Sequence, residues 1–144
     1  MKIRLTIREA LTVVIVLVVI AAIAVPMWRT HELRVRRQDA IDSLRAVQVA
    51  EDEYFGRNAR YADEAQLRAS APQALSAKAL SARGYYQLTL QKSADDLNYS
   101  VVARAIPLEG ELTETRCVEL RIDQNGRRFA VDSERVDRSA DCWR

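Results

Sequence analysis

Histidine and cysteine are nearly missing from this chain: its 144 residues hold one His, His31, and two Cys, Cys117 and Cys142. Three such residues do not make four well-spaced ligands, so no metal is expected. The single histidine falls on a helix-forming stretch, and no nucleophile with a base beside it stands out. Glycine is scarce as well, with four in the chain, and no Gly-rich phosphate loop can be drawn from them. The adjacent carboxylates Asp95 and Asp96 fall in a turn-like stretch rather than facing one another. These shortages leave no reaction to propose. No enzyme activity, no cofactor and no small-molecule substrate is expected.

Charge of one sign is lacking too. The net charge of +2 conceals three basic groups and one acidic group in residues 1–28, and nineteen of each in residues 29–144. A neutral domain has no bulk electrostatic attraction for nucleic acid, which is therefore not expected as a partner. Lysine supplies only three of the twenty-two basic groups, and the arginine excess is read as coding composition rather than phosphate recognition.

What the chain does have is one long apolar run. Residues 10–28 contain a single polar side chain, Thr12. A helix of that length rises about 28 Å at ~1.5 Å per residue, close to the ~30 Å of a bilayer's hydrocarbon core. A cleaved signal peptide is the competing reading, and Ala22-Ile23-Ala24 imitates its processing site. Signal-peptide apolar cores run about 7–15 residues, however, so an anchor is preferred. Lys2, Arg4 and Arg8 precede the run and favour a cytoplasmic N-terminus, which sends the rest of the chain across the membrane. Arg29, Arg34, Arg36 and Arg37 follow it and argue weakly the other way. A translocated domain meets an oxidising compartment, where Cys117 and Cys142 are expected to pair. That bridge would be worth about 3 to 4 kcal/mol.

Around the run, the chain reads in order as helix, loop and sheet. Thr6 and Glu9 have capping-box spacing at the helix start. If Glu9 instead enters the apolar layer, its carboxylate needs a cationic partner, which another chain can supply. Pro26 is expected to kink the helix rather than stop it. From His31 to Phe55 there is no Gly or Pro, and Leu33, Ala40, Ile41, Leu44, Val47, Tyr54 and Phe55 form one apolar stripe. Arg34, Arg36, Asp39, Asp42, Arg45, Glu51, Asp52 and Glu53 are assigned to the outer faces. The stripe lacks sustained heptads, so a helix on a globular core is preferred to a coiled coil. Gly56 is expected to end the helix.

Residues 57–83 read as a loop with a short helix or two. Period-two alternation then marks four strands, with Tyr86, Leu88 and Leu90 inward in the first and Tyr99, Val101, Ala103 and Ala105 in the second. Val118, Leu120 and Ile122 do the same for the third, and Phe129 and Val131 for a short fourth. Asn125-Gly126 predicts a type I′ turn between the last two.

With these parts assembled, the whole chain resembles a type IV pilin, and most closely a minor pilin. Leu5-Thr6-Ile7-Arg8-Glu9-Ala10-Leu11 is similar to the start of the mature pilin helix, and Ala21-Ala22-Ile23-Ala24-Val25-Pro26 to its end. Gly56 to Ala62 resembles the turn after the spine, and Cys117 with Cys142-Trp143 the disulfide-bounded region. The departures are Arg4 where prepilin peptidase expects Gly, Leu5 in place of Phe, and Arg8 at the fourth mature position.

The resemblance implies an α+β type IV pilin fold, a long spine helix packed on a four-stranded antiparallel sheet. Its divisions would be a leader-like segment at 1–4, a transmembrane and filament-core half-helix at 5–28, and a periplasmic or extracellular domain at 29–144. Within that domain, 29–56 would be helix, 57–83 the αβ-loop, 84–131 the sheet and 117–142 the disulfide-bounded region. It further implies processing between Arg4 and Leu5, made inefficient by Arg4. Glu9 would neutralise a neighbour's N-terminal amine, and Pro26 would bend the spine. The partners would be major and minor pilin subunits, the inner membrane and prepilin peptidase. The function would be that of a minor pilin. The alternatives are a type II secretion pseudopilin and a membrane-tethered DNA-uptake or adhesion module. For DNA uptake, Arg116, Arg121, Arg127, Arg128, Arg135, Arg138 and Arg144 would form a basic strip.

Overall fold

The computed structural model describes residues 7–107 and 114–144. Arg4, Leu5 and Thr6 lie outside the described residues, as does most of the polar connection expected before Glu114. The chain divides into two units, Met1–Arg34 and Val35–Arg144.

The first unit is the beginning of helix α1 (Ile7–Asn58), which runs as one helix through Pro26. Its large apolar side chains are exposed throughout, from Leu11 to Trp28. This helix is long and apolar enough to cross a membrane.

In the second unit, the remainder of α1 buries Ala40, Ile41, Leu44 and Val47 in the core. These positions recur every three to four residues, so one stripe of the helix meets the sheet. Gly56 does not end α1, which continues to Asn58. The chain leaves the helix at Ala59, in the left-handed region at φ 54. The Asn58 side chain caps the last turn by donating to the Tyr54 carbonyl at 2.9 Å. Helix α2 (Glu64–Ser70) follows, opened by an Asp63–Gln66 capping box.

The sheet is an antiparallel meander in the order β1 (Tyr86–Lys92), β2 (Tyr99–Ala105), β3 (Glu119–Asp123), β4 (Arg128–Val131). Tyr86 and Leu88 of β1, Tyr99, Val101 and Ala103 of β2, and Leu120 and Ile122 of β3 point into the core. On β4 the alternation is shifted by one residue from the expected one. Ala130 is buried and Phe129 is 48% exposed, because Ala130 pairs with the inward Leu120. Only Gly126 of the expected Asn125-Gly126 turn has positive φ, at 72°. The β3–β4 connection, residues 124–127, therefore has one left-handed residue where a type I′ turn needs two. The Asp123 carboxylate holds that loop by accepting the Asn125 and Arg127 amides, each at 2.9 Å.

Both outer edges of the sheet are covered by the chain itself. Residues 79–81 run along β1, with the Leu88 amide donating to the Ala79 carbonyl at 2.6 Å. Along β4, the Arg138 amide donates to the Ala130 carbonyl at 2.8 Å. A short helix, α3 (Ser139–Cys142), closes the chain.

Candidate functional site

The apolar half of α1 is the first candidate, and its polar groups are dealt with locally. Thr12 Oγ1 donates to the Arg8 carbonyl and Thr30 Oγ1 to the Pro26 carbonyl, each at 2.9 Å. Such bonding one turn back leaves neither hydroxyl seeking an outside acceptor. Glu9 sits in the first turn of α1. Its expected capping partner Thr6 and the processing pair Arg4 and Leu5 are outside the described residues.

The second candidate is the C-terminal region. Cys117 and Cys142 form a disulfide with an S–S distance of 2.07 Å, and both are buried. Glu114 sits beside it as a buried hub. Its carboxylate accepts Arg37 Nε at 2.6 Å and Arg37 Nη2 at 3.1 Å. The same group accepts the Arg116 and Cys117 amides at 2.9 and 3.0 Å. A charge 4% exposed is tolerable because all these donors face it. Asp132 does similar work at the next turn. It accepts the Val136 and Glu134 amides and Arg138 Nε. These bonds, the Val136 amide foremost, hold its carboxyl below the usual carboxylate range.

Arginines of the strip considered for DNA uptake are held by several different partners. Arg116 pairs with Asp141 at 3.3 Å and Arg138 with Asp132 at 3.0 Å. Arg128 lies over the Trp143 ring, 5.5 Å from its centroid. Arg121 belongs to the outer face of the sheet, opposite Phe129. There it shares a shallow groove with Arg104, Arg135, Gln87, Thr89 and Gln91. The carboxylate in that groove is Glu119, which holds Arg104 at 2.8 Å and Arg121 at 3.8 Å.

Three charged residues assigned to the outer faces of the helix are buried instead. Arg36 stacks its guanidinium on Tyr85, 4.7 Å from the ring centroid. Asp39 accepts the Arg83 amide at 3.0 Å, beside Ser43, which accepts the Ala82 amide at 3.2 Å. Glu51, with no exposed surface, accepts the Ala62 amide at 2.9 Å. The other oxygen of Glu51 has no hydrogen-bond partner among the described residues. Burial pushes its carboxyl up to about 7, against the pull of the Ala62 amide and the Lys92 charge. Asp39, Ser43 and Glu51 thus pin both ends of the connection between helix and sheet. The clue was their phase: with Ala40, Leu44 and Val47 they recur at helical spacing on the inward side. Glu114 carried no comparable signal. No cluster able to hold a metal occurs among the described residues.

A spine helix with an apolar first half, a four-stranded antiparallel meander and a C-terminal region closed by a disulfide define the class, a type IV pilin. A sequence profile described as "Type IV minor pilin ComP, DNA uptake sequence receptor" matches residues 26–121, and the chain belongs to this family of minor pilins. A pilin is a structural subunit rather than an enzyme. Among solved structures, a type IV pilin from Shewanella oneidensis is similar at 23% identity. That similarity covers 66% of this chain and 88% of the other, with a TM-score of 0.46. No curated protein matches the chain.

Proposed function

We propose that this chain is a minor subunit of a type IV pilus, anchored in the inner membrane by the first half of α1 and packed against other pilin subunits through it. The observation that carries this reading is the apolar helix whose side chains find no burial within the chain. Lipid covers such a segment before assembly, and the helices of major and minor subunits cover it afterwards. The N-terminus lies in the cytoplasm and the domain in the periplasm, where the Cys117–Cys142 bridge forms. Glu9 meets the N-terminal amine of a neighbour if prepilin peptidase cuts after Arg4, and Arg4 makes that cut slow. Pro26 supplies the bend in the spine. Sheared pili from cells producing the chain test this, with photo-crosslinkers placed at Val18. Crosslinks to pilin subunits in the pilus fraction are expected. Crosslinks confined to a secretion-system complex would instead identify a pseudopilin.

A second reading is DNA capture by the same subunit. The family description names a DNA uptake sequence receptor, and the feature of this chain that favours the reading is the arginine-lined groove on the outer face of the sheet. Local charge suffices there although residues 29–144 are neutral as a whole. A salt series of gel shifts with the full chain in neutral detergent tests it. Affinity that falls with salt is expected, and no shift even at low salt would remove DNA capture.

A further inference from the structure

Resting on the DNA-capture reading, we propose that the outer face of the sheet is the DNA-contacting surface and that Glu119 is a built-in competitor for the DNA phosphates. Strand register sets Arg104 directly opposite Glu119. Arg121 stands two residues further along β3, on the same face as Glu119. The carboxylate is 13% exposed, while the two arginine side chains it holds are 63% and 45% exposed. One sunken anion is therefore shared by two guanidiniums whose outer edges meet solvent. Guanidinium forks bind carboxylate and phosphate through the same paired N–H geometry, so a phosphate can take over what Glu119 now occupies. Arg121, 3.8 Å from the carboxylate and beyond hydrogen-bond distance, is the easier of the two guanidiniums to redirect. Arg135 lines the same groove as a further cation. Asp123, the other acid on this face of β3, is engaged by its own loop amides. Phe129, opposite Arg121, adds an exposed ring for a sugar or base.

The consequence is a prediction opposite to that of a merely structural ion pair. Fluorescence anisotropy of a labelled DNA duplex, titrated with full-length protein in neutral detergent across a salt series, reads it. Glu119→Gln is expected to tighten binding several-fold and steepen the salt dependence, because it frees two cations. Arg121→Ala and Arg135→Ala are expected to weaken binding, each flattening the slope of log affinity against log salt by about 0.9 for every phosphate left without its cation. Glu53→Gln, an equal charge change on exposed α1, should leave affinity unchanged, as should Arg57→Ala. Circular dichroism and melting of each variant confirm folding, and the arginine variants carry the test if Glu119→Gln does not fold. Wild-type binding that Glu119→Gln fails to tighten, or that Arg57→Ala weakens as much as Arg135→Ala does, overturns this face while leaving DNA capture standing. Absence of wild-type binding at every salt removes DNA capture itself, and this inference with it.

Discussion

The two stretches of α1 invert one another. Up to Trp28 the helix exposes its valines, isoleucines and leucines. Beyond Val35 it buries Arg36, Asp39 and Glu51 beside Leu44 and Val47. A single unbroken helix thus follows two burial patterns, which the membrane and water-facing surroundings proposed for its two stretches would account for. In lipid an apolar side chain needs no cover, but every backbone group must be satisfied internally. In a water-facing domain the charged side chains can be drawn inward only where amides or cations wait for them. Asp39 and Glu51 meet that condition at Arg83 and Ala62.

The strongest test of this contrast is to separate the stretches. Removing residues 1–28 should move the protein from the membrane pellet to the supernatant and leave the sheet signal by circular dichroism intact. A truncated chain that stays insoluble would mean the apolar stretch belongs to the domain fold. The next effect is confined to the domain. Reducing the Cys117–Cys142 bridge, whose cysteines are 25 residues apart, should lower its stability by about 3 to 4 kcal/mol in denaturant titrations.

The buried charges make a third test. Glu51 is raised from its ordinary 4.5 to about 7, so between these values the folded state holds a proton that the unfolded chain releases. Its contribution is present below pH 4.5 and is lost as the pH rises through 7. The loss should reach about 3 kcal/mol, at 1.36 kcal/mol per pH unit. Glu51→Gln should flatten this part of the stability profile and raise stability at pH 8. A variant with the wild-type slope would show that Glu51 is not what titrates. The smallest effect is at the helix end. Ala59→Gly should stabilise the domain by about 0.5 to 1 kcal/mol in thermal melts, since φ 54 is strained for alanine.

Much of the fold was legible in the sequence because hydrophobic period reports burial directly. The strands around Leu88, Val101 and Leu120 alternate over enough residues to fix their inward faces. Four-residue β4 offers too few positions, and its pairing with β3 chose Ala130 over the larger Phe129. The end of α1 was misplaced because Gly56 suggested a stop. The Asn58 side chain instead caps the helix, with Ala59 taking the left-handed turn that glycine usually takes. Among candidate site residues, the cysteine pair was legible because the chain has only these two cysteines. Glu51 was missed although its helical phase with Leu44 and Val47 pointed inward, because its charge outweighed that phase, whereas Glu114 gave no signal of the guanidinium and amides that meet it.

The back-bonded threonines of α1 bear on how such a subunit changes surroundings. Thr12 and Thr30 have already spent their hydroxyl protons on their own helix. The side chains they share with valine, leucine and isoleucine present hydrocarbon to whatever lies alongside. Trading acyl chains for other helices, or the reverse, then breaks no hydrogen bond at either threonine. It also gains no hydrophobic energy, because lipid tails are as apolar as leucine. The stretch can slide or turn against its surroundings without losing a bond at these positions. For the proposed pilus subunit, such an indifferent surface would allow traffic in both directions between a bilayer store and an assembled fibre.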